Sequence, residues 1–170
     1  MSHIAHVLQR FNGGMSCINI YVNQHDFFIS KHRIVEAEKI GASPEWSQIA
    51  DPNSVPPRSE PSLDALYTEI KRTVELEAQI IAAVFPTPLL VMQLFLRRVF
   101  AQSVQTYVET IMQRALDADA KVLGTTRHDT SIDVAGLAFL RMLHVTRSAT
   151  LMLVADLKTI DLRSAGITIT

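Results

Sequence analysis

A single cysteine, Cys17, in a chain of 170 residues leaves no internal disulfide and no multi-cysteine zinc site to build on. One thiol fits a reducing compartment. Charge is scarce as well: charged residues make up 19%, with sixteen Lys+Arg against seventeen Asp+Glu and a formal net charge of −1. Without a basic excess there is no nucleic-acid footprint, and without an acidic block there is no solvating tail. Aromatic residues are only 6%. The longest unbroken apolar run, Ile80 to Phe85, is six residues, far short of the roughly 20 that span a bilayer. The start, Met1-Ser2-His3-Ile4-Ala5-His6, lacks the basic and apolar stretches of a secretory leader. These absences predict a soluble, cytoplasmic protein.

Aliphatic side chains are abundant. Hydrophobic residues reach 48% and the mean hydropathy is +0.17. The length suits one domain, two at most, that buries about 70% of its unfolded surface. A free-standing monomer usually carries charge on about a quarter to a third of its surface. Here either the helices pack tightly or some apolar faces expect a partner.

Apolar spacing predicts helices throughout. Ile4, Val7, Leu8 and Phe11 form one face from Ser2 to Phe11, and Asn12-Gly13-Gly14, tolerant of positive φ, stops that helix. A second helix is expected over Ser16 to Gln24 with Cys17, Ile20, Tyr21 and Gln24 on one side. The run His25 to Ile29 either extends or breaks it, and Ile34 to Ile40 reads as a short helix ending at Gly41. From Gly41 to Ser62, Pro44, Pro52, Pro56, Pro57 and Pro61 mark a loop without regular structure, with Trp46 as its anchor.

Ser62-Leu63-Asp64 then caps a long helix. Its face is Leu63, Leu66, Tyr67, Ile70, Val74, Ala78, Ile81 and Phe85, with Glu75 and Glu77 on the opposite side. Thr87 caps the next helix through its hydroxyl and Pro88 opens it; the apolar positions run from Leu89 through Leu96, Val99, Phe100, Val104 and Tyr107 to Ala115. Gly124 to Thr130 reads as a turn. A last helix is expected over Ser131 to Leu157 on stripes that include Leu140, Leu143, Leu151 and Leu157. Residues 161–170 read as a frayed tail, and residues 1–160 as one all-α bundle of antiparallel helical hairpins.

No catalytic, cofactor or metal constellation stands out. His3 and His6 lack further ligands nearby, and the neighbours in His25-Asp26 and His128-Asp129 diverge on regular structure. His144 on its partly apolar stripe reads as a hydrogen-bonded core or interface residue. Cys17 reads as a small buried hydrophobe. Of Arg97 and Arg98, one should face water and the other pair with an acid. A small helical enzyme would need a pocket that gathers His25, Asp26, Cys17 or His144.

Three blocks carry more than periodicity. They are Phe11 to Ser16 leading into Tyr21 to Ile29; Val84 to Pro88 followed by Val99 to Gln105; and Leu137 to His144. In order and spacing they resemble the middle of the Sec-ten subunit of the exocyst, particularly its fungal form, over about residues 3–159. Recyclin-type F-box adaptors share a related helical region and are the alternative.

The resemblance implies a rod of stacked helical bundles, no enzymatic activity and no cofactor. It also implies a role in tethering secretory vesicles at the plasma membrane, in the cytoplasm and peripheral to those membranes. Partners would be other exocyst subunits, above all the Sec-fifteen subunit, with no nucleic acid or small-molecule substrate. Matched positions would be structural: Asn12, Gly13, Gly14, Pro86 and Pro88 at helix joints, and Leu96, Val99, Phe100, Val104, Tyr107, Leu140 and Leu143 in packing or interfaces. Family members are several times longer, with an assembly coiled coil before this region and further bundles after it.

Overall fold

The computed structural model describes residues 2–10, 13–29, 44–125 and 136–159. Asn12, the expected helix over 34–40, the turn residues 126–130, the helix start at 131–135 and the tail over 161–170 lie outside the described residues. Regular structure among those described is entirely helical, as an aliphatic-rich chain with period-3.6 patterning requires. The helices are α1 (Ser2–Arg10), α2 (Gly14–Asn23), α3 (Asp26–Ile29), α4 (Pro61–Val84), α5 (Pro88–Arg98), α6 (Gln105–Thr125) and α7 (Leu137–Thr159). A 3-10 turn spans Pro44–Gln48, and a π-helical segment, Val99–Val104, joins α5 to α6. Gly124, expected in a turn, still belongs to α6.

The chain forms two compact units. The first comprises Met1–Lys31, Thr68–Val104 and Leu153–Thr170; the second comprises His32–Tyr67 and Gln105–Met152. In the first, Ile70, Val74, Ile81, Val91, Met92, Phe95 and Val99 are fully withdrawn from water. In the second, Leu63, Ile111, Ala115 and Ala138 are equally buried, with Leu66, Tyr67, Met142 and Val145 close behind.

Four helix ends show how the sequence is punctuated. Gly13 does not use positive φ; it sits at −87°. Its N–H reaches the Leu8 carbonyl at 2.7 Å, and a Cβ there would lie 3.1 Å from Leu8 Cδ2. Close approach, not handedness, favours glycine at this point. The cap of α4 is Glu60 instead of Ser62: its buried carboxylate accepts from the Leu63 N–H at 2.8 Å and from the Ser62 hydroxyl. The negative charge also suits a helix N-terminus. Thr87 precedes α5 with Pro88 in the first turn, but its hydroxyl makes no capping bond; its carbonyl accepts from Val91 at 3.3 Å. At α7, Gly136 turns the chain at φ 89°, and Asp119 of α6 receives the Ala138 and Phe139 N–H groups at 2.9 and 3.1 Å.

The proline-rich stretch is more ordered than its composition predicts. Ile49 and Ala50 are buried. Arg141 of α7 donates to the Ile49 and Asp51 carbonyls at 2.8 and 2.9 Å, and to the Ser54 hydroxyl and carbonyl at 2.8 and 3.0 Å. Trp46 is only half-buried, so the arginine, not the indole, pins this loop. By length and mean hydropathy (1.3) α7 is also long and apolar enough to cross a membrane, although Arg141, His144 and Arg147 interrupt its apolar runs.

The π segment has a signature in the sequence. Buried positions Val91, Phe95 and Val99 step by four, as do Tyr107, Ile111 and Ala115, but from Val99 to Val104 the step is five. A π turn absorbs one additional residue without rotating the following helix away from its core. Deleting the exposed Ala101 should therefore restore a continuous α-helix and keep Val104 inward, changing the melting temperature by only a few degrees. Deleting Gln113 from α6 rotates everything beyond it by about 100° and should abolish the cooperative thermal transition followed by circular dichroism.

Candidate functional site: a Tyr–Glu–His knot beside an apolar groove

All of the following belongs to the first unit. Helix α2 ends at Asn23 because the next residues leave helical geometry, and His25 stands between α2 and α3. There the imidazole caps α3: Nδ1 accepts from the Phe27 N–H at 3.1 Å. The hydrogen-bond pattern thus assigns the ring proton to Nε2, which lies 3.0 Å from Glu77 Oε1 on α4. The other carboxylate oxygen of Glu77 accepts from the Tyr21 hydroxyl. One carboxylate thereby ties the end of α2 and the start of α3 to α4.

Glu77 corrects the expectation that it faces solvent. It is only 7% exposed. Counting from Ile70 and Val74, position 77 falls on the same stripe as Ile81, seven residues on from Ile70. A charged residue centred on an apolar stripe was the available signal. The aromatic residues, though few, concentrate here. Tyr21 meets Phe85 edge-on at 5.0 Å, His25 meets Phe95 at 5.1 Å, and Phe28 meets Phe95 at 5.6 Å. Arg98 lies over Phe28 at 4.5 Å, with bonds to the Val22 carbonyl at 3.1 Å, to Gln102 Oε1 at 2.9 Å and to Asn23. Its partners are a carbonyl, amides and a ring instead of the expected acid; Arg97 is exposed.

Electrostatics follow from burial and bonding. Desolvation opposes the charged form of Glu77, but the hydrogen bonds from His25 and Tyr21 outweigh it and hold the carboxyl below its ordinary value. Burial first, then the Glu77 hydrogen bond and charge, push the Tyr21 hydroxyl far above its ordinary value.

Tyr21 and His25 also line a groove of about 590 Å³ with Ile4, Leu8, Cys17, Ile20, Gln24, Asp26, Val84 and Phe85. A hollow of about 270 Å³ is lined by Met15, Cys17, Ile18, Phe85, Pro86, Thr87 and Leu90. The expected α2 face of Cys17, Ile20, Tyr21 and Gln24 is thus the groove wall, whereas Ile18 and Val22 enter the core. Among the described side chains of α1, Ala5 is buried, while Ile4 and Val7 are exposed.

The groove does gather Cys17, His25 and Asp26, the set an enzyme would need; His144 is exposed on α7. Both ring nitrogens of His25 are engaged, however, so it has no free lone pair to take a thiol proton. No group of three or more His, Cys, Asp or Glu side chains among the described residues is arranged to hold a metal ion. What the arrangement does chemically is lock helices.

The other sequence-predicted positions scatter. Gly14 opens α2, Pro86 lies in the break before α5, and Pro88 begins α5. Val99, Val104 and Tyr107 are buried, Leu96 and Phe100 half-buried, Leu140 and Leu143 exposed.

Fold and knot together define an all-helical bundle protein whose polar centre is structural. Its sequence matches the family described as "Exocyst complex component Sec10-like, alpha-helical bundle" over residues 1–168, and the chain belongs to that family. It is 32% identical over 167 residues to exocyst complex component SEC10a of Arabidopsis thaliana, covering 94% of this chain and 18% of that protein. Against exocyst complex component SEC10 of Saccharomyces cerevisiae the identity is 28% over 150 residues, 85% of this chain and 15% of that one. Exocyst complex component 5 of Oryza sativa is 30% identical, covering 99% of this chain and 20% of its own length. The chain thus spans a fifth or less of these relatives. No solved structure matches it.

If Glu77 is the tie, Glu77→Ala strands two partly buried donors and should cost about 3 kcal/mol in chemical denaturation, against about 1 kcal/mol for Tyr21→Phe. Because the folded carboxyl titrates below its ordinary value of 4.5, its contribution is complete above that pH and is lost as pH falls through the folded value. Denaturation midpoints measured at successive pH values from neutral to acidic should show this loss, and Glu77→Gln should flatten that part of the profile.

Proposed function

We propose that the chain is a non-catalytic segment of an exocyst-type tethering subunit, working by protein–protein contact to hold secretory vesicles at the plasma membrane before fusion. The observation that carries this reading is the Sec10-like helical-bundle match across nearly the whole chain. The knot supports it, since Tyr21, His25 and Glu77 beside the groove are committed to holding helices. In this reading the segment is one piece of a helical rod, cytoplasmic and peripheral to the membranes it bridges. Its partners are other exocyst subunits, foremost one of the Sec-fifteen type. Gly13, Gly14, Pro86 and Pro88 serve as joints, while Leu96, Val99, Phe100, Val104 and Tyr107 serve as packing.

A second reading, which the all-helical structure of the described residues also fits, is a helical scaffold piece with no independent task. Co-purification of the tagged chain from its native cytosol, with partners identified by mass, separates the readings. Other exocyst subunits in the eluate are the expected result. Chaperones alone would leave an orphaned piece of rod, and a Skp-type ligase component without exocyst subunits would favour a recyclin-like adaptor.

A further inference from the structure

Between Ser54 and Glu60 the proline-rich stretch of the second unit is held at both ends and bare in the middle. Arg141 fixes Ser54 through its hydroxyl and carbonyl, and Glu60 is buried as the cap of α4. The rings of Pro56 and Pro57 set φ at about −65°, and a residue that precedes proline is driven out of the α region. Val55 and Pro56 both precede a proline, so they are confined to extended backbone of the polyproline II kind. Three residues per turn put Ser54 and Pro57 on one edge, and both are half-buried; Val55 and Pro56, on the other two edges, are exposed. Val55 is 85% exposed, more than any other large apolar residue among those described. The backbone of residues 55–59 makes no hydrogen bond among the described residues, so its carbonyls are open acceptors.

We propose that the Val55-Pro56 pair docks into the aromatic slot of a polyproline-reading domain of a partner protein, of the single-slot WW type. An Xaa-Pro pair in this conformation is an apolar ridge that fits between aromatic rings, while an indole N–H or a phenol O–H of the slot donates to an open carbonyl. Water can satisfy those carbonyls, but it does not answer the bare valine and proline side chains. A reader of the SH3 type takes two Xaa-Pro pairs spaced as in PxxP. Pro52, Pro56, Pro57 and Pro61 include no two that stand three apart, which leaves one slot to fill. A second copy of this chain does not supply the slot, since no Phe, Tyr or Trp among the described residues is exposed. With both ends held and the middle restricted by proline, docking orders little that is not already ordered. The inference stands on this segment alone and does not rest on the tethering reading.

The test measures binding of the full chain, by surface plasmon resonance, to purified WW-type domains encoded in its own genome, with SH3-type domains alongside. At least one WW-type domain should bind. Pro56→Ala should weaken that binding at least about tenfold, and Val55→Ser, which keeps both prolines, should weaken it in the same direction. Pro52→Ala, in the preceding turn, should leave it unchanged. All three side chains are exposed, so circular dichroism and melting temperature should stay those of the parent. No binding by any WW-type domain, binding that survives Pro56→Ala, or binding by SH3-type domains alone overturns the proposal.

Discussion

Helix α4 sets the terms for everything around it. Along 24 residues it withdraws Leu63, Leu66, Tyr67, Ile70, Val74, Ala78 and Ile81 from water on a single stripe. A fully buried aliphatic side chain contributes about 1.5–3 kcal/mol, so no other element among the described residues commits as much on one face. The first unit takes the stripe from Ile70 onward, and the second takes Leu63 to Tyr67. In the second, the Tyr67 hydroxyl also meets Thr150 Oγ1 of α7 at 2.7 Å.

The apolar members of that stripe were legible in the sequence because Glu69, Arg72 and Glu75 mark most of the other side; Glu77, read onto that side, is buried on the stripe. Helix α7 was not so legible, for the opposite reason. Its apolar side chains surround the axis, so hydropathy alone could not distinguish Leu140 and Leu143 from Met142 and Val145, and the latter pair entered the core. Helix α2 has the same ambiguity: Ile20 and Ile18 are chemically alike, yet one is exposed and the other buried. The π segment was written in the sequence as a five-residue step but hidden inside an otherwise regular pattern. Joints at glycine and proline were readable as breaks; that Glu60 instead of Ser62 would cap α4 was not, since a glutamate two residues early competes with a better-known capping hydroxyl.

The site shows where single-chain reading stops. Local spacing left open whether His25 extends or breaks the second helix, and it lies between α2 and α3. The partner that gives it meaning, Glu77, is 52 positions away, a separation no periodicity reports. Once paired, the imidazole spends Nδ1 on capping and Nε2 on the carboxylate. A histidine so bound is a strut. Tyr21, His25 and Glu77 thereby form a fixed crossing of helices, and the groove beside them is mostly apolar.

Among the described residues, three buried carboxylates reveal a common device in a chain so poor in charge. Glu60, Glu77 and Asp119 are 2%, 7% and 6% exposed, and each accepts two bonds. Apolar contact is non-directional, so stripes of interchangeable leucines and isoleucines permit sliding and rotation of one helix on another. A buried carboxylate does not: its donors must arrive within bonding distance, and a displaced helix leaves a charge unanswered at a cost of about 3–5 kcal/mol. Glu60 fixes where α4 begins, Asp119 fixes where α7 begins against α6, and Glu77 fixes how α2 and α3 lie on α4. The aliphatic residues supply the attraction, and these few acids decide which of many similar packings the chain adopts.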